Sequence, residues 1–121
     1  MSTVKIIKVR RLKRCVDYGS VSNAIHLDLR SSKLNIISIR YSGELDIDFE
    51  NTNKVLCLRN TNGIENIDLD AVTDFMNTLN GESVFVHCHM GAVRSKWLAN
   101  WIADNYNYTL TPLVTELISF K

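Results

Sequence analysis

The stretch from residue 83 to 105 constrains the fold more than any other. Ser83-Val84-Phe85-Val86 reads as a compact strand. It runs into His87-Cys88-His89-Met90-Gly91-Ala92-Val93-Arg94-Ser95, a tight loop whose Gly91 tolerates backbone angles that a Cβ disfavours. Trp97, Leu98, Trp101 and Ile102 then recur at helical spacing, so a helix is expected from about Arg94 to Asn105. A strand entering a helix through a short loop is the repeating unit of parallel α/β sheets.

The upstream chain supplies partners for that unit. Strands are expected at Val4 to Val9, Leu34 to Ile39 and Lys54 to Leu58, with a further short strand at Ala24 to Leu29. Arg10 to Asn23 is polar and basic and reads as a loop, with a turn at Gly19-Ser20. Gly43 to Asn53 is acidic and turn-like, and the Asn- and Gly-rich run from Arg59 to Asn66 reads as a surface loop. Leu69, Val72, Phe75, Met76 and Leu79 lie on one helix face, with Asp68 as N-cap and Gly81 at the C-terminal stop. A last helix is expected from Thr111-Pro112, burying Leu113, Leu117 and Ile118. The expected fold is one domain over residues 1–121. It is three-layer α/β, with a central, mainly parallel sheet of four to five strands flanked by helices.

Bulk properties narrow the function classes. Apolar content of 45% and charged content of 22% fit a globular domain. A net charge of +1 selects for neither nucleic acid nor an anionic membrane. The basic residues Lys5, Lys8, Arg10, Arg11, Lys13 and Arg14 cluster near the start, as a solvated edge or as positive potential near an anionic substrate. There is no membrane-length apolar run and no secretory-type leader, so a cytoplasmic protein is expected. Cys15, Cys57 and Cys88 are an odd set with no repeated spacing, which argues against a disulfide framework.

The loop itself carries the chemistry. In α/β sheets, ligands bind where strands end and helices begin. Inward-facing N–H groups and a helix N-terminus make such a loop an anion site. Cys88 at its base is expected to be a thiol of lowered pKa, and hence a nucleophile. Arg94, six positions on, can return two parallel donors to a phosphate. Ser95 can donate to the sulfur. A metal held by His87, Cys88 and His89 is not expected, because consecutive strand residues point to opposite faces.

The run His87-Cys88-X-X-Gly91-X-X-Arg94-Ser95 resembles the signature loop of the cysteine-dependent protein tyrosine phosphatases, in the form used by the compact dual-specificity branch. The resemblance is specific from about Val84 to Trp101. It extends weakly to Ile36-Ile37-Ser38-Ile39 and Val55-Leu56-Cys57-Leu58-Arg59. It implies hydrolysis of a phosphomonoester through a phosphocysteine at Cys88, without metal or organic cofactor. Arg94 would bind phosphate and transition state, and Ser95 would assist breakdown of the intermediate. His87 would support the thiolate from outside the pocket, and His89, Met90, Gly91, Ala92, Val93 and Arg94 would cradle the phosphate. Expected substrates are a phosphorylated protein or another phosphomonoester, with nucleic acid only as a 5′-phosphate.

The resemblance also implies a general-acid aspartate after the preceding strand. Here that run is Leu58-Arg59-Asn60-Thr61-Asn62-Gly63, with no carboxylate. Asp68 is taken as the catalytic candidate, with Asp70 and Glu65 as alternatives. Without an acid, poor leaving groups would be slower by on the order of 10² to 10⁴. The alternative is a catalytically impaired phosphate- or partner-binding module. A further rival is sulfur transfer or arsenate reduction, in which Cys57 would be the resolving thiol for Cys88.

Overall fold

The computed structural model describes residues 4–6, 14–30, 34–111 and 118–120. In chain order the elements are β1 (Val4–Ile6), β2 (Cys15–Ser20), α1 (Val21–Arg30), β3 (Asn35–Ile39) and β4 (Lys54–Leu58). A short 3₁₀ helix (Ile64–Asn66) precedes α2 (Leu69–Thr78). Then follow β5 (Val84–Cys88), α3 (Arg94–Tyr106), β6 (Thr109–Leu110) and β7 (Ile118–Phe120). β1 and β7 form a separate antiparallel pair. The main sheet runs β4-β3-β5-β2-β6, and every pairing in it is parallel.

The register assigns each side chain to a face. Ile36 and Ser38 align with Phe85 and His87 and with Val55 and Cys57. Ile37 and Ile39 lie on the opposite face with Val84, Val86 and Cys88, as the two-residue alternation of strands requires. On the first face α1 packs Ala24 and Leu27 against Cys15, Ile36 and Phe85. On the second, Val72 and Met76 of α2 and Leu98, Ala99 and Ile102 of α3 cover the sheet. Ile36, Ile37 and Ile39 are fully buried, so β3 is covered on both sides. Each such isoleucine contributes roughly 1.5–3 kcal/mol by burial. The expected α/β layering therefore holds, with five parallel strands.

Three assignments differ from the sequence reading. Within the polar stretch 10–23, Cys15–Ser20 is a strand wedged between β5 and β6, and the expected strand at 24–29 is helix α1. The buried positions Ala24 and Leu27 are three apart, a helical interval, and Ile25 between them is exposed. Ser20 and Asn23 bond reciprocally at the start of this helix. Ser20 N donates to Asn23 Oδ1 at 3.0 Å, and Asn23 N donates to Ser20 Oγ at 3.2 Å. This is a capping box with asparagine in the usual Glu/Gln place. At the other end of the chain, Ile118 is in strand β7 rather than a helix, and residues 112–117 of the expected last helix lie outside the described residues. Residues 7–9 of the expected first strand also lie outside them. The expected α2 is present, with Asp68 as N-cap accepting from Ala71 N at 3.1 Å.

All five strands of the sheet point the same way, so Ser20, Ile39, Leu58 and Cys88 end at one edge. Cys88 sits at the centre of that edge, beside Ser20. None of the helices among the described residues is long and apolar enough to cross a membrane.

Candidate active site

β5 delivers Cys88 to the sheet edge, two residues beyond the expected strand end. Its side chain is 2% exposed and belongs to the α2/α3 face. Although buried, it forms the floor of a cleft of about 170 Å³ lined by Tyr41, Met90, Ala92, Val93 and Arg94. That is several times the ~30 Å³ share of one water molecule, enough for a tetrahedral oxyanion. Met90 and Val93 stand exposed at the rim.

The loop turns at Gly91, where φ is +74°. A Cβ there would lie 2.4 Å from both Gly19 C and Ser20 N, atoms of backbone that cannot yield. The end of β2 therefore buttresses the loop, and Val21 N donates to His89 O at 3.4 Å from the same side. Gly91→Ala should cost about 1–3 kcal/mol of stability. It should also move the loop's N–H groups away from the sulfur, slowing alkylation of Cys88 at neutral pH. An unchanged alkylation rate would contradict this account of the loop.

Four groups act on the sulfur. Cys88 Sγ bonds to Ser95 Oγ at 3.2 Å. Burial pushes the thiol up, but the Ser95 hydroxyl, the Ser95 and Gly91 backbone N–H groups and the Arg94 charge together outweigh it, so the net shift is downward. The N-cap of α3, Val93, offers no side-chain cap. The first N–H groups of the helix are thus left for the sulfur and for an anion above it.

Arg94 opens α3 and is 5% exposed. Its Nη1 donates to Thr61 O at 2.6 Å, and its Cζ lies 3.6 Å from the centroid of the Tyr41 ring. Together the Thr61 carbonyl and the Tyr41 face fix the guanidinium plane. The Nε–Nη2 edge remains as the pair of parallel donors that matches two phosphate oxygens. Among the described residues no carboxylate forms an ion pair with Arg94. A buried cation so placed is suited to an anionic ligand.

His87 is on the other face, fully buried, with Nε2 2.7 Å from Ser38 Oγ and Nδ1 3.4 Å from Cys88 O. Burial is the main cause that lowers its pKa to about 4; Arg40 and Arg94 add to it, while the Cys88 carbonyl and Glu44 oppose it. The ring is therefore neutral at pH 7. A carbonyl only accepts, so Nδ1 carries the hydrogen and Nε2 accepts from the Ser38 hydroxyl. His87 thus braces the Cys88 backbone from outside the cleft and carries no charge. Its proton uptake also couples to folding. Between pH 6.5 and 4 the unfolded chain binds a proton that the folded chain refuses, so stability falls as pH falls through this window. The loss should reach about 3 kcal/mol. Denaturant midpoints across that range should slope more steeply for wild type than for His87→Gln, and parallel slopes would refute the assignment.

None of the expected acids is among the residues that line the cleft above Cys88. Asp68 is committed to capping α2 through Ala71 N. Glu65 folds its carboxylate back against Gly63. Asp70 is exposed in the first turn of α2. Cys57 is on the sheet face opposite Cys88, its Sγ 3.8 Å from Asp46 Oδ1. None of the three cysteines is in a disulfide, and this register keeps Cys57 from acting as the resolving thiol for Cys88.

Three contributors to the site had no signal of their own in the sequence: Tyr41, the Thr61 carbonyl and Glu44. The loop after β3 carries two of them. Arg40, at its start, is 4% exposed, pairs with Glu44 at 3.1 Å and donates Nη2 to Leu45 O. Asp28 of α1 accepts from Glu50 N and Asn51 N, both at 2.9 Å, and anchors the loop's far end. Ser42 N donates to Asn62 Oδ1 at 2.8 Å, tying this loop to the one after β4. Compared with known proteins, the chain matches no family model, no curated protein and no solved structure.

Proposed function

We propose that this protein is a cysteine-dependent phosphomonoester hydrolase of the tyrosine and dual-specificity phosphatase type. The observation that carries the reading is the pairing of a thiol of lowered pKa with a buried guanidinium in one small cleft. Cys88 thiolate attacks phosphorus, and the P–O bond to the leaving group breaks. Arg94 and the loop N–H groups hold the equatorial oxygens as charge builds on them. Water then attacks the phosphocysteine, releasing inorganic phosphate and the thiolate, with Ser95 stabilising the sulfur as it leaves. The shallow cleft and apolar rim support a phosphorylated protein or another accessible phosphomonoester as substrate.

One observation favours a second reading, a phosphate-binding module without turnover. The run Leu58 to Gly63 carries no carboxylate where this chemistry usually places its acid. Steady-state hydrolysis of an activated aryl phosphate, compared with Cys88→Ser, separates the two. Turnover that survives the substitution sinks the enzyme reading. Wild type that binds phosphate without turnover establishes the module.

A further inference from the structure

The loop after β3 and the residue that follows Cys88 bring a carboxylate and an imidazole together. Glu44 is fixed on three sides: Oε1 accepts from Tyr41 N at 2.8 Å, Oε2 lies 3.1 Å from Arg40 Nη2, and Oε2 lies 3.6 Å from His89 Nδ1. Only 16% of its side chain is exposed, whereas that of His89 is 53% exposed. With Arg40 against one of its oxygens and Tyr41 N against the other, Glu44 is placed to orient a proton donor. His89 immediately follows the nucleophile in the chain. With Nδ1 turned to Glu44, its Nε2 is the nitrogen left to face a substrate.

The position fits the task. The Tyr41 ring lies 3.6 Å from the Arg94 guanidinium and 6.2 Å from the His89 ring. His89 and the guanidinium are thus at most about 10 Å apart, and the Tyr41 ring that lines the cleft lies beside both. A monoester held by Arg94, with Cys88 beneath, projects its leaving oxygen outward, away from the sulfur. Resting on the phosphatase reading above, we propose that His89, oriented by Glu44, is the general acid and base of the reaction. In the first step the electron pair of the breaking P–O bond goes to the leaving oxygen, which takes the Nε2 proton of the imidazolium. In the second, water attacks phosphorus and gives a proton to the neutral ring while the S–P bond breaks. The groups facing His89 are Glu44 and Tyr41, with Arg40 behind the first, Arg94 behind the second and Cys88 next in the chain.

The consequence is substrate class. A protonating group matters most for basic leaving groups, so His89 extends the enzyme to alkyl phosphates such as phosphoserine and phosphothreonine. The test compares wild type, His89→Asn, Glu44→Gln and Cys88→Ser on a nitrophenyl phosphate and on an alkyl phosphate, each across pH. His89→Asn should slow the nitrophenyl ester less than about tenfold and the alkyl ester by about 10² to 10³, and should erase the basic limb of kcat. Glu44→Gln should keep that limb and slow the alkyl ester less than His89→Asn does. Equal losses on both esters, or an intact basic limb in His89→Asn, would overturn the assignment while leaving Cys88 chemistry standing. Absence of wild-type turnover would overturn both.

Discussion

Cys88→Ser should reduce aryl phosphate hydrolysis by on the order of 10⁴ or more, the scale on which an enzyme loses its nucleophile. The reason lies in acidity. Burial raises the Cys88 thiol, but the Ser95 hydroxyl, two backbone N–H groups and the Arg94 charge outweigh it and lower the thiol. The same surroundings act on a serine hydroxyl, which starts from a far weaker acid and stays protonated. Phosphate binding should survive, because Arg94, Gly91 and the start of α3 are untouched by the change. Equilibrium binding of inorganic phosphate therefore provides the control: a serine variant that loses turnover and keeps binding identifies Cys88 as the attacking atom. Loss of both would mean that the loop had collapsed. Rapid acid quench of wild type should also trap phosphate on Cys88, and the variant should trap none.

What was legible in the chain follows from how local each signal is. β5, the loop and α3 were readable because a strand, a Gly91 turn and a helix succeed one another within one stretch of sequence. Asp68 was readable as a cap for the same reason. β2 was not. Cys15–Ser20 has weak strand character of its own and is held as a strand by β5 and β6 on either side. Its end then supplies the backbone against which Gly91 packs, so the support of the loop was hidden along with the strand. The Ser20 and Asn23 capping pair was a local clue to α1, masked by the apparent alternation of residues 24–29. Tyr41 and Glu44 lie in a stretch with no periodicity. Their places depend on Arg40, Asp28 and Asn62, partners supplied by three different parts of the fold.

Arg94→Lys should lower kcat by about 10² to 10³, the cost of losing preorganised donors at developing charge. Lysine keeps the positive charge but not the two parallel N–H groups that grip two oxygens. It also cannot reproduce the stack on Tyr41 together with the bond to the Thr61 carbonyl, so its ammonium is free to wander within the cleft. The charge and the geometry of Arg94 have separable effects. Its Coulombic pull is one of the causes that lower the Cys88 thiol, and lysine should retain much of that pull. Alkylation of Cys88 across pH should thus shift little in Arg94→Lys and clearly upward in Arg94→Ala, while kcat collapses in both. If the lysine variant instead keeps kcat within tenfold of wild type, a point charge suffices and Arg94 is not a clamp. If its alkylation profile moves as far as that of the alanine variant, the guanidinium acts on the thiol by holding the loop in shape rather than by charge. The bond from Nη1 to the Thr61 carbonyl is then the contact to break next.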